Sequence, residues 1–163
     1  MKFLNKNSNT LLCGLLFLIT ILCYGFKFIN GNAFIGTLAS VATIYYGTLK
    51  LKIENDLIFK DLFKSFNERY DDQINDLING LRLDESIELE HDHKKLIIDY
   101  FNLCAEEFLW KRKGRIPNDV WIAWRAGIME NLKIKQIREL FEKETETKNG
   151  KASYYGLYEE LAK

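Results

Sequence analysis

TLLCGLLFLITILCYGFKFINGNAFIGTLASVATIYYGTL, residues 10–49, carries a single charge, Lys27, in a chain whose residues are 28% charged. Residues 10–26 are apolar or weakly polar throughout, which is the lower limit of length for a membrane-spanning helix. Setting aside Ile29-Asn30-Gly31-Asn32 as a turn leaves residues 33–49 as a second stretch of the same length. Asn-Gly beside Lys27 is good turn chemistry. A bilayer leaves no water to satisfy backbone groups, so both stretches must be helices rather than an open sheet. The spacing predicts a two-helix transmembrane hairpin over residues 1–49, with spans at about 10–26 and 33–49. A secretory signal would need small residues and a cleavage site after residue 26. The chain instead runs Lys27-Phe28-Ile29 into more apolar sequence. Two buried helices of a soluble protein would normally carry a polar stripe, which neither stretch has.

Charge outside this stretch sets the orientation. Lys2 and Lys6 precede the first span, Lys50, Lys52, Lys60 and Lys64 follow the second, and no acid occurs before Glu54. The positive-inside bias therefore puts both termini in the cytoplasm. On that reading Cys13 and Cys23 lie in lipid and Cys104 in a reducing compartment, so no disulfide is expected. Gly36 and Ser40, with Ala39, Thr43 and Gly47, place small residues four apart. Such spacing allows close helix packing, within the hairpin or between copies of the chain.

From residue 50 to 163 the pattern predicts an all-α cytosolic domain of four to five helices, large enough for its own core. Ile58, Leu62, Phe66, Tyr70, Ile74 and Leu77 or Ile78 fall on one face of a helix over residues 51–79, a stalk running on from the second span and capped at Gly80. That stripe needs a partner, either the rest of the domain or a second copy. Residues 81–90 read as a short acidic irregular segment. Further helices are expected at 92–113, ended by Gly114, at 118–132 after Pro117, and at 134–144. Residues 145–152 read as a polar linker, after which Ser153 caps a last helix.

Composition excludes a disordered chain, at 47% hydrophobic and 13% aromatic, and three Cys do not make a disulfide scaffold. Signatures of catalysis are lacking: there is no phosphate-binding glycine loop, no G-x-S-x-G and no H-E-x-x-H. His91 and His93 face different directions on a helix, without further ligands at metal spacing. Glu106 and Glu107 are adjacent, about 100° apart around a helix, which suits them to pairing with Lys111 or Lys113 rather than to shared acid–base work. No cofactor or metal is expected.

One cluster does suggest a ligand. Residues 54–107 hold 15 acids and 6 bases, whereas residues 108–163 hold 8 acids and 12 bases. Lys111, Arg112, Lys113 and Arg115 stand beside Trp110, and Trp121, Trp124 and Arg125 follow on the next helix. Cations beside aromatic planes are what an anionic nucleotide requires: Lys111, Arg112, Lys113 and Arg115 for phosphates, with Trp121, Trp124 and Arg125 near the bases. The competing reading is a basic helix end complementing its dipole, with the indoles filling the core.

The stretch DYFNLCAEEFLWKRKGRIPNDVWIAW, residues 99–124, resembles the helix–G-x-I–helix core of small bacterial membrane proteins that carry a cytosolic helical domain on an N-terminal hairpin. Among these, the plan is similar to the membrane-anchored accessory effectors of type III CRISPR systems. The resemblance rests on size, topology and the placement of the basic region. It implies an inner-membrane, multi-pass protein whose cytosolic domain binds a cyclic oligoadenylate messenger, assembles as a homo-oligomer and acts on membrane lipid in antiviral defence. Catalysis and binding of duplex nucleic acid are not expected. The alternative is a non-catalytic, membrane-anchored scaffolding or protein-interaction module built on the acidic stalk and Tyr-rich tail.

Overall fold

The structure is a computed structural model that describes residues 8–84 and 86–163. Lys2 and Lys6, part of the expected orientation signal, lie outside the described residues. Every regular element among the described residues is a helix: α1 Ser8–Gly25, α2 Gly31–Asp71, α3 Gln73–Leu83, α4 His91–Arg112, α5 Asn118–Asn131, α6 Lys135–Glu144, α7 Lys148–Ser153 and α8 Leu157–Leu161. The all-α class read from periodicity holds. The chain divides into two compact units, Met1–Leu57 and Ile58–Lys163.

In the first unit, the Phe26 and Phe28 N–H groups donate to the carbonyls of Leu22 and Cys23 at 2.9 Å, closing α1. Lys27 takes a left-handed φ of 58°. Asn30 Oδ1 then accepts from the Ala33 N–H at 2.9 Å and caps α2. The Tyr24 and Phe34 rings stack at 4.4 Å. Most other apolar side chains here are open: Leu18 and Leu22 are each 58% exposed. No helix among the described residues is long and apolar enough to cross a membrane, so the spans expected at about 10–26 and 33–49 find no support in these helices. Nothing packs closely on the two glycines of the small-residue stripe among the described residues. A Cβ added at Gly36 or Gly47 would meet nothing within 4 Å, and Ser40 and Thr43 donate back to their own helix, to the carbonyls of Gly36 and Ala39.

The second unit begins within α2 and has a continuous core. Phe66, Ile74 and Ile78 are buried, and Leu62, Tyr70 and Leu77 pack against them. The amphipathic stripe is therefore partnered by its own domain and does not require a second copy. The single helix expected to Gly80 is interrupted at Asp72, whose ψ of −128° separates α2 from α3. This break lets Ile74, Ile78 and Leu81 of α3 enter the core, while Gly80 sits inside α3 instead of capping it. After α3, Asp84 accepts from the Ser86 N–H and hydroxyl at 2.9 and 2.6 Å, an Asx-type turn.

Helix α4 is the centre, packed against α3, α5, α6 and α8. Its wide apolar face buries Ile97, Tyr100, Phe101, Cys104 and Phe108. Gly114, with φ of 71°, reverses the chain. Its N–H donates to the Lys111 carbonyl and that of Arg115 to the Trp110 carbonyl, the hydrogen-bond pair of a Schellman ending. Of the polar linker expected at 145–152, residues 145–147 are non-helical and 148–152 belong to helix α7. Thr147 Oγ1 accepts from the Gly150 N–H at 3.0 Å, and a Cβ at Gly150 would collide with the Glu144 carbonyl. Ser153 ends α7 rather than capping the next helix, and Gly156 at φ 87° opens α8.

Candidate ligand-binding site

The basic cluster occupies the end of α4, where four cations meet the negative pole of a helix. Lys113 Nζ lies 4.7 Å from the centroid of the Trp110 ring, and Lys111 Nζ lies 5.7 Å from that of Phe108. Arg112 Nη1 donates to the Tyr155 carbonyl at 2.8 Å. Arg125 Nη2 donates to the Glu160 carbonyl at 3.3 Å. Trp121, 2% exposed, packs on Phe108 at 5.2 Å and donates its indole N–H to Glu160 Oε1 at 3.3 Å. Arg112, Trp121 and Arg125 thus converge on residues 155–160 of the chain itself. Glu160 also accepts from Lys163 Nζ at 2.7 Å. That bond, then the Trp121 indole, with the Lys111 charge behind them, holds its carboxyl below the usual range.

Trp124 stands elsewhere. Its ring stacks on Phe63 at 5.8 Å and meets Phe66 edge-on at 5.9 Å, both on α2. Arg115 is half-buried in the turn after α4. The seven predicted residues therefore fall into a tail-holding group, two lysines over rings, a turn arginine and an indole against α2.

Glu106 and Glu107 do not pair with Lys111 or Lys113 as expected. Arg69 Nη1 of α2 donates to Glu106 Oε2 at 2.6 Å. Glu107 faces a cavity of about 220 Å³ between α2, α4 and α5, with Phe66, Tyr70, Tyr100, Trp124 and Asn131 among its walls. Burial raises its carboxyl to about 8; the Arg69 charge opposes this and that of Glu106 adds to it. Asn131 is buried in the same place. Its Nδ2 donates to the Tyr100 hydroxyl at 2.9 Å, and its Oδ1 accepts from Arg82 Nη2 at 2.7 Å. Tyr100 and Cys104, one turn apart on α4, are both buried, and burial pushes both groups up. The apolar spacing of α4 and α5 pointed these residues inward, but nothing in the sequence marked Glu107 as a half-buried wall of this cavity.

Two wider concavities are more polar. Arg69 and Glu106 share a cleft of about 510 Å³ with Asp72 and Asp99, and Lys94, Lys135 and Lys143 line a groove of about 630 Å³. No group of three His, Cys, Asp or Glu among the described residues can hold a metal ion. By fold the chain is an all-α protein. Comparisons with protein-family models, curated proteins and solved structures return no match.

Proposed function

We propose that the chain is a membrane-anchored helical module without catalytic activity of its own, whose second unit senses an anionic nucleotide messenger. The observation that carries the anchoring is the open apolar surface of α1 and the first half of α2. Leu18, Leu22, Ile35 and Tyr46 are between 58% and 69% exposed, on a segment without an acid. Exposing so much apolar surface to water is unfavourable by about 25 cal/mol per Å². Helix α1 has 18 residues, about 27 Å at ~1.5 Å per residue, against a hydrocarbon core of about 30 Å. A deficit of that size is met by modest local thinning of the bilayer. Tyr24, Phe26 and Phe28 near the turn, and Tyr45 and Tyr46 towards the other end, supply aromatic anchors at both interfaces. In this reading α1 and the start of α2 form a transmembrane hairpin in the inner membrane, with the lysines after it keeping both termini in the cytoplasm.

The nucleotide reading rests on Lys111 and Lys113, whose ammonium groups lie beside the Phe108 and Trp110 rings. Arg112, Trp121 and Arg125 are assigned to holding the C-terminal segment, so they support the ligand surface without contacting phosphate. A cyclic oligoadenylate is the ligand implied by the resemblance of residues 99–124. Titrating a labelled cyclic oligoadenylate into full-length protein in nonionic detergent tests this. Binding should weaken steeply with salt and be lost on Lys111→Ala/Lys113→Ala. Equal affinity in both proteins, or none in either, would sink the assignment. The engagement of Arg112, Arg125 and Trp121 by the tail favours a second reading, a protein-interaction module at the membrane, and failure of nucleotide to bind would leave that reading standing.

A further inference from the structure

We infer that the cavity between α2, α4 and α5 is a binding site for a small organic cation. Four aromatic side chains from three helices wall it, Phe66 and Tyr70 from α2, Tyr100 from α4 and Trp124 from α5. Ring faces attract a cation, most strongly where water is excluded. Other polar groups of the cavity already have partners: Asn131 bonds Arg82 and the Tyr100 hydroxyl, and Asn67 Nδ2 donates to the Phe63 carbonyl. Glu107 is different. No hydrogen bond reaches its carboxyl among the described residues, and Arg69, the cation that acts on it, is engaged by Glu106 at 2.6 Å.

A half-buried carboxyl without a protein donor is unfavourable in a fold and useful in a ligand site. The volume of about 220 Å³ exceeds the ~150 Å³ that accommodates benzene, so a ligand somewhat larger than benzene fits. The titratable and charged groups around Glu107 are Tyr100, Cys104 and Glu106 on its own helix and Arg69 and Tyr70 on α2. Arg82 of α3 acts through Asn131, and α5 contributes no charged side chain to the cavity. An arriving cation displaces the carboxyl proton, which the empty site keeps up to about pH 8. Affinity then rises about tenfold per pH unit below that value.

The test uses full-length protein in nonionic detergent and benzyltrimethylammonium, whose charge does not titrate. Tryptophan fluorescence and calorimetry in two buffers of different ionisation enthalpy report binding and proton release. Wild-type protein should bind at least tenfold more tightly at pH 8 than at pH 6, releasing a proton at the lower pH, and should reject the neutral isostere neopentylbenzene. Glu107→Gln should bind weakly and without pH dependence. Gly127 lines the cavity and an added Cβ there meets nothing within 4 Å, so Gly127→Leu should remove binding while leaving helicity intact. If Glu107→Gln does not fold, the wild-type pH dependence and Gly127→Leu still decide. No binding at any pH, equal binding of the isostere, or undiminished binding by Gly127→Leu would overturn the inference.

Discussion

Glu107 makes the stability of the second unit depend on pH in an unusual direction. Its carboxyl ionises near the ordinary 4.5 in the unfolded chain and near 8 in the folded one, so between these values the native state holds one proton more. Its contribution to stability is fullest below about pH 4.5 and is lost as pH rises towards 8, by at most about 1.4 kcal/mol per unit. Glu160 acts oppositely: its contribution is present above 4.5 and is lost as pH falls through its lowered value. Urea denaturation at pH 6 and 8 should show wild-type stability falling, and Glu107→Gln should flatten that slope and be the more stable protein at pH 8. Asn131→Ala should destabilise by about 2 kcal/mol at either pH, because it strands the buried Tyr100 hydroxyl and an Arg82 donor. Little of this was legible beforehand. Two adjacent glutamates on one helix look alike until the neighbouring helices are placed. Arg69, 37 residues away, then takes Glu106 and leaves Glu107 half-buried at the cavity wall.

Among the elements, α4, α5 and α6 were readable to within a residue or so because each has apolar positions at helical spacing and a clear stop, such as Gly114. The misreadings fall where a turn is set by tertiary packing. The break at Asp72 has no glycine or proline to announce it, and it follows from the need to bring Ile74 and Ile78 inward. Helix α7, six residues long, is too short for periodicity to reveal, and the expected last helix is present as α8 but starts at Leu157 rather than after Ser153. The basic cluster was legible as a cluster, but its partners were not, because the carbonyls that Arg112 and Arg125 meet, those of Tyr155 and Glu160, come from the tail. Replacing Arg112 and Arg125 together by Ala removes two donors to that tail. Hydrogen exchange at residues 155–161 should accelerate while α4 remains protected, and unchanged exchange would show that the tethers contribute nothing. Phe66→Glu places an unpaired charge among buried residues and should unfold the second unit, read by loss of cooperative thermal melting. Retention of a wild-type transition would contradict the assignment of the α2 stripe to the domain core.

For the whole molecule, the charge distribution remains the strongest message: 23 acids, all at or after Glu54, and an apolar segment whose side chains stand open in the first unit. Such a surface is suited to lipid and poorly suited to water, which is why anchoring is the central claim. Alkaline carbonate extraction of membranes from cells expressing the full-length chain tests it directly. If the proposed hairpin is right, the protein should stay in the membrane pellet, because helices held in hydrocarbon depend neither on charge nor on a peripheral partner. Recovery of the folded chain in the carbonate supernatant would contradict the account.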